Sequence, residues 1–378
     1  MGFSERITGI QSSAIRRMYE KAGKSSINLS IGMPYCFTPD NIKQAAIDSI
    51  NNNKTFYTSN YGLPELRKLI AERYREPDNN YDESNVMVTI GVTEAIFLIL
   101  FSLAEPGSEI ILSDPGYPGY NISAAMNGFS IKHYPLYFED KFSVRAGDVI
   151  KLITPNTKAI VLNSPGNPTG GINSIEELRK IVDYINGKDI FIISDEVYRT
   201  LNYSNNEIAS FSGLLKPEKL FVLDGVSKEF GMTGWRIGWI VSDSKNIATL
   251  IKAHQVMVSC APAMSQYAAI EALTKNNKEV IQAMSYNKNL MSELLDGIPN
   301  VKYFVPDGGL YYFADFSSYG DDETLALKIL ENTDVITVPG SGFGEMGRGF
   351  LRLSFGAHPE DIRTGVERIK NYLLNFRD

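Results

Sequence analysis

Residues 220–241 read Leu220-Phe-Val-Leu-Asp224-Gly-Val-Ser-Lys228-Glu-Phe-Gly-Met-Thr-Gly-Trp-Arg236-Ile-Gly-Trp-Ile-Val241. Two apolar runs of strand length, Leu220–Leu223 and Ile237–Val241, enclose a glycine- and aromatic-rich connection with one lysine and, eight residues on, one arginine. Working outward, similar runs recur at Asn85–Ile90, Glu109–Leu112, Ala159–Leu162 and Ile190–Ser194. Segments with helical apolar spacing, such as Glu94–Leu103, Ile175–Ile185 and Ile247–Val258, lie between them. This alternation predicts βαβ units and an α/β fold, a mostly parallel central sheet with helices on both faces. In such a sheet ligands bind beyond the carboxyl ends of the strands, so the chemistry is expected in the loops that follow these runs. After about residue 275 long charged helical stretches (Lys275–Leu295, Asp322–Glu331, Pro359–Phe376) surround short strands at Leu310–Phe316, Val335–Val338 and Phe350–Ser354, which predicts a smaller α+β domain. The amphipathic start, Arg6–Lys21, is expected to pack on it. The expected division is a large domain over 30–275 and a discontinuous small domain over 1–29 and 276–378.

The length, 378 residues, exceeds what one hydrophobic core usually organises and agrees with two domains. Thirty-seven basic against forty-four acidic side chains give a net charge of −7, which opposes binding to phosphate backbones or anionic membranes, so no nucleic acid or membrane partner is expected. Cys36, Cys260, His133, His254 and His358 stand far apart, leaving neither a thiolate metal cluster nor a disulfide framework. No metal is expected, and a reducing, cytoplasmic location fits. The stretch Met1-Gly-Phe-Ser-Glu-Arg is charged where a secretory signal is apolar, so no export segment is expected. The most apolar stretch, Ala95–Ala104, is fenced by Glu94 and Glu105 and is about half a membrane span, which predicts a buried helix.

Around Lys228 the glycines permit close approach to a ligand, and the apolar neighbours would desolvate the amine, lower its pKa and suit it to Schiff-base formation; the plainer alternative is a solvated lysine in a turn. Asp195 ends an apolar strand, where a carboxylate is costly unless a cation meets it, although a helix cap or ion pair would also serve. Gly91-Val92-Thr93 sits between a strand and a helix start, where backbone amides bind anions. Arg352, on the strand Phe350–Ser354, needs an anionic partner if buried, and a structural ion pair is the simplest one. Gly342-Phe-Gly344-Glu-Met-Gly347 has dinucleotide-type glycine spacing but precedes a strand instead of opening a helix, and reads as a loop beside Arg352.

The 224–239 segment resembles the cofactor-lysine signature of the class I/II, fold type I pyridoxal-5′-phosphate aminotransferases, and the resemblance covers nearly the whole chain. It is carried, in order, by Asn28-Leu-Ser-Ile-Gly32-Met-Pro, Tyr57-Thr-Ser-Asn-Tyr-Gly62-Leu-Pro-Glu-Leu-Arg67, Thr89-Ile-Gly91-Val-Thr93-Glu-Ala95, Asp114-Pro-Gly-Tyr117-Pro-Gly-Tyr120, Asn163-Ser-Pro-Gly-Asn167-Pro-Thr-Gly170, Ser194-Asp195-Glu-Val-Tyr198 and Leu351-Arg352-Leu-Ser354. The resemblance implies that Lys228 forms the Schiff base with pyridoxal 5′-phosphate and acts as base, and that Asp195 pairs with the pyridine nitrogen. Tyr198 and Asn167 would meet the phenolic oxygen, and Tyr117 would stack on the ring. Val92, Thr93, Ser227 and Arg236 would hold the phosphate, with Tyr57 reaching it from a neighbouring subunit in a homodimer. Arg352 would clamp the substrate carboxylate, assisted by Gly32 and Asn167. The implied reaction moves the amino group of an L-amino acid to a 2-oxo acid by a ping-pong route. A β-lyase or other non-transaminating enzyme of the same fold would use nearly the same residues, and a regulator's sensing domain would need an attached DNA-binding domain. Two departures stand out: Gly225 replaces the first serine of the usual Ser-x-Ser-Lys, and no second arginine for a distal carboxylate is evident.

Overall fold

Most strands form where aliphatic, β-branched or aromatic residues predominate, and in chain order they are β1 (Ile27–Asn28), β2 (Val86–Thr89), β3 (Glu109–Asp114), β4 (Ser130–Pro135), β5 (Thr157–Asn163), β6 (Phe191–Asp195), β7 (Leu220–Gly225), β8 (Gly238–Val241), β9 (Tyr311–Asp315), β10 (Val335–Ile336), β11 (Val338–Pro339) and β12 (Phe350–Ser354). The structure, a computed structural model, describes residues 2–10, 14–76, 79–204, 208, 210–275 and 278–376. Residues 11–13, within the expected Arg6–Lys21 helix, and 276–277, at the start of the expected Lys275–Leu295 helix, lie outside the described residues.

Seven strands form one sheet in the order β2-β8-β7-β6-β5-β3-β4. All neighbours are parallel except β8, which runs antiparallel to both β2 and β7. The expected α/β fold is therefore present, with its mostly parallel sheet. Successive residues of each strand enter different cores, as the two-residue period of a strand requires. Val86, Val88, Ile160, Leu162, Val222 and Trp239 face one cluster, which the helices Asp40–Asn51, Pro64–Glu72, Ile175–Ile185 and Ala263–Thr274 cover. Met87, Ala159, Val161, Phe221, Leu223 and Ile240 face another, under the helices Gly91–Leu103, Pro118–Met126 and Ser244–Met257. Ala95–Ala104 thus belongs to a buried helix, as its composition predicts. β4 is the strand that patterning misses. Ser-Ile-Lys-His-Tyr-Pro lies at the sheet edge with mostly accessible residues, so no apolar run marks it.

A third cluster joins Met18 and Leu29 to residues of the helices Glu279–Leu295, Asp322–Thr333 and Pro359–Leu374, and it also takes in Tyr198 and Leu201. Here β11, β12 and β9 form an antiparallel sheet in which Arg352 lies opposite Val338 and Phe313. The strand expected over Val335–Val338 is two strands: β10 pairs with β1, β11 pairs with β12, and Thr337 is the switch between them. The amphipathic start forms two helices. Ala14–Lys21 lies against β11, while Glu5–Thr8 lies against Pro118–Met126.

Near the amino end of β8 three backbones come unusually close. Gly225 and Gly238 are register partners. A Cβ at Gly225 would stand 2.7 Å from the Ile237 carbonyl oxygen, and one at Gly238 would stand 2.7 Å from both the Gly91 carbonyl carbon and the Val92 nitrogen. A serine at 225 would require β7 and β8 to part, which gives the Gly225 departure a packing reason. These obstacles are backbone and cannot rotate away, so Gly238→Ala should lower unfolding stability by about 1–3 kcal/mol in urea titration. Gly147→Ala, in the helix Ala146–Ile150 where a Cβ meets nothing within 4 Å, should instead raise it by about 0.4–1 kcal/mol.

Candidate active site

Because β8 runs against its neighbours, its first residue lies at the same sheet edge where β2, β3, β5, β6 and β7 end. The following loops, together with Ser30–Gly32 and β12, enclose a cleft of about 260 Å³. Every residue singled out in the sequence as a ligand contact lines this cleft except Tyr57. Tyr57 is 88% exposed.

Three cations converge there, and among the described residues none has a carboxylate within 4 Å. Lys228 stands on the short helical turn Val226–Glu229 after β7, and its Nζ donates to the Gly32 carbonyl at 2.7 Å. Burial, followed by the charges of Arg236 and Arg352, lowers its pKa to about 8, while Asp195 opposes the shift. Arg236 occupies the left-handed region at φ 56°, unusual for a side-chain-bearing residue, and donates from Nη1 to the Thr233 carbonyl at 2.9 Å. Its Nη2 reaches toward the Gly91–Leu103 helix start so closely that a Cβ on Gly91 would lie 2.4 Å away. Gly91, at φ 71°, also needs the backbone freedom of glycine. Arg236 and the helix start at Val92 and Thr93 thus frame one corner of the cleft, a set of donors that suits an anion. Glu94 braces that corner from behind, accepting from the Ile90 amide at 2.5 Å and pairing with buried His254 at 2.7 Å.

Arg352 is 1% exposed. Its Nη1 donates to Asn167 Oδ1 at 2.8 Å and its Nη2 to the Ser30 carbonyl, while Nε has no partner among the described residues. Its guanidinium carbon lies 4.3 Å from the Tyr311 ring centroid and 4.8 Å from that of Phe343, which belongs to the glycine-rich loop. The structural ion pair considered from the sequence is not formed among the described residues. Burial lowers the pKa of Arg352, a penalty that an incoming carboxylate would lift.

Asp195, at the end of β6, is buried; its carboxylate accepts from the Tyr120 hydroxyl at 2.6 Å and the Val197 amide at 3.1 Å. Burial pushes its pKa up to about 6 despite those two donors, so it too lacks compensation. Asn163 ties this strand end to the next loop, donating to the Asp195 carbonyl at 3.0 Å and accepting from the Asn167 amide at 2.8 Å. Tyr198 shares a 2.8 Å hydroxyl contact with Tyr311. The Tyr311 hydroxyl lies 1.6 Å from where a Gly32 Cβ would sit, so Gly32 exists to admit that ring. Tyr117 meets Tyr120 edge-on at 5.3 Å.

Sequence reading gave no role to Tyr120 or Tyr311. Tyr120 lay within a quoted motif, so a polar ring three residues after Tyr117 was its available signal. A layer beneath Lys228 was also missed: Asp224 accepts from Tyr74 at 2.9 Å, and Arg73 pairs with Glu229 at 2.8 Å. Arg199 lies 3.6 Å from Glu196. No local pattern around Arg73 or Arg199 announces this.

Comparison with known proteins agrees with this geometry. A family model described as aminotransferase class I and II matches residues 24–369. The aspartate aminotransferase of Pyrococcus horikoshii is 33% identical over 381 residues, covering 98% of this chain and 97% of its own. The aromatic-amino-acid aminotransferase 2 of Thermococcus litoralis is 29% identical, with coverage of 99% and 98%. The crystal structure of aspartate aminotransferase from Thermotoga maritima superposes with a TM-score of 0.92 at 32% identity, covering 99% of this chain and all of that one. Matched from end to end in sequence and in fold, the chain belongs to the class I and II aminotransferase family and is an aminotransferase of fold type I.

Proposed function

We propose that this aminotransferase carries pyridoxal 5′-phosphate on Lys228 and moves an amino group from an L-amino acid to a 2-oxo acid in two half-reactions. The observation that carries the reading is the convergence of Lys228, Arg236 and Arg352, all lacking carboxylate partners within 4 Å among the described residues, on one cleft with buried Asp195. The donor set fits the cofactor: an amine of lowered pKa for its aldehyde, Arg236 and a helix N-terminus for its phosphate, and a desolvated carboxylate for its ring nitrogen. When bound, the cofactor supplies an electron sink for the substrate's α-carbon and carries the amino group between half-reactions.

The protein's own residues do the rest. Arg352, oriented by Asn167 and Ser30, binds the substrate carboxylate. The Lys228 amine would take the α-proton and hand it on; positioned proton transfer contributes roughly 10²–10⁴-fold. Asp195, held by Tyr120, keeps the ring nitrogen protonated. Ser227 would help hold the phosphate, and Tyr117, Tyr198 and Asn167 would hold the ring. The relatives' names favour transfer over β-elimination.

We assign residues 30–275 to a cofactor-binding domain and 1–29 with 276–378 to a small domain that closes over the substrate and excludes water. Phe37, Phe56, Tyr57 and Val256 are each at least 80% exposed, which supports a homodimer that covers them and brings Tyr57 to the other subunit's phosphate. A cytoplasmic setting agrees with two free cysteines and with the lack, among the described residues, of a helix long and apolar enough to cross a membrane.

Lys228→Ala should abolish turnover and borohydride-fixed cofactor while leaving thermal unfolding of the cofactor-free protein within a few degrees. Because the neutral amine is the nucleophile and its pKa is about 8, the rate of cofactor uptake should rise with pH and level off above about 8. Arg352→Met removes a charge that disfavours the protonated amine, so stopped-flow absorbance should show the inflection at higher pH. Sedimentation should give a dimer, and Tyr57→Phe should weaken cofactor retention; a fully active monomer would sink the shared-site reading.

A further inference from the structure

The cleft spends all its cations: Lys228 on the cofactor, Arg236 on the phosphate and Arg352 on the α-carboxylate. None lining it remains for a second carboxylate on the substrate. Resting on the aminotransferase reading, we propose that the preferred amino donor has a large uncharged side chain, aromatic or branched aliphatic, which lodges in the hollow adjoining the cleft.

That hollow, of roughly 350 Å³, lies between the Arg16/Tyr19 face of helix Ala14–Lys21 and the Pro118/Ile122 face of helix Pro118–Met126. Its size is within the range of about 300–1,000 Å³ that holds small organic ligands. Ile31 and Tyr117 line both the hollow and the cleft. Ile31 also sits between Ser30, whose carbonyl receives Arg352, and Gly32, whose carbonyl receives Lys228. A substrate gripped by Arg352 at its carboxylate and served by Lys228 at its α-carbon therefore has the Ile31 side chain beside its remaining substituent. Tyr19 and Ile31 are 57% and 41% exposed, adjacent apolar surfaces that an apolar side chain would cover. Among the described residues one cation lines the hollow, Arg16, and it has a partner of its own on the same helix: its Nε lies 2.7 Å from Glu20 in an exposed i,i+4 pair. An aspartate side chain there would have to compete with Glu20 for Arg16, and the other lining residues, Tyr19, Ile31, Tyr117, Pro118, Gly119 and Ile122, offer its carboxylate no charge.

Cofactor-loaded enzyme assayed with phenylalanine, leucine, aspartate, glutamate and alanine should show kcat/KM for phenylalanine or leucine at least tenfold above the two acidic donors, the scale expected for burying such a side chain. Calorimetry supplies a readout independent of turnover: 3-phenylpropionate should bind at least tenfold more tightly than succinate. Tyr19→Ala and Ile122→Asp should each reduce the phenylalanine-to-alanine ratio of kcat/KM several-fold. Preference for aspartate, tighter succinate binding, or an unchanged ratio in both variants overturns the assignment while leaving the aminotransferase intact. Failure of every donor to yield a 2-oxo acid overturns the parent reading and this one with it.

Discussion

A guanidinium buried without a carboxylate is the constraint around which this molecule is arranged. Arg352 projects from β12, within the antiparallel sheet, yet its hydrogen bonds go to Ser30 in the amino-terminal segment and to Asn167 in the loop after β5. Three distant parts of the chain are thereby drawn to one point by a charge they only partly satisfy. Carbonyl and amide oxygens and two aromatic faces offset some of the desolvation. Among the described residues the Arg352 Nε has no partner, so part of the cost is left unmet.

The sheet edge applies the same logic at the opposite wall. Packing Gly91, Gly225 and Gly238 backbone to backbone brings the first turn of a helix beside the amino end of β8, where Arg236 then lies against that turn. A side chain at Gly225 or Gly238 would push these backbones apart, and one at Gly91 would displace the Arg236 guanidinium. The serine to which family resemblance draws attention at 225 is therefore exchanged here for a tighter β7–β8 contact, and Ser227 and Arg236 remain as the side-chain donors on this wall.

Much of this was legible because the decisive residues carry strong local context. Asp195 at the end of an all-apolar strand is conspicuous, and Lys228 in a glycine- and aromatic-rich link between two apolar runs is equally so. What escaped depends on distant partners. β4 forms because β3 offers an edge, not because its own residues insist on a strand. Thr337 divides an apparently continuous apolar run, since β1 and β12 recruit its two halves separately. Tyr311 matters through Gly32, almost three hundred residues earlier, and the Arg73, Arg199 and Asp224 layer exists only once the end of the helix Pro64–Glu72 meets the ends of β6 and β7. Tyr57 is the instructive contrast: a motif marked it, and the folded single chain leaves it in solvent.

Charge and stability are linked with definite signs. The pKa of Lys228 is lowered from 10.5 to about 8, so its desolvation weakens the ligand-free fold at all pH values below about 8 and fades as pH rises toward 10.5. Asp195 is raised from 3.8 to about 6, so its penalty is absent in acid, grows between those values and is complete above about 6. Both costs are therefore present together at neutral pH, where Arg352 is buried as well. A cofactor would lift the first two if it brought an electrophile that consumes the amine and a protonated nitrogen for the carboxylate, and a carboxylate on the substrate would lift the third by meeting Arg352. The free energy that the fold forgoes in holding these groups apart from partners is then returned as affinity, since whatever binds the native state alone stabilises it.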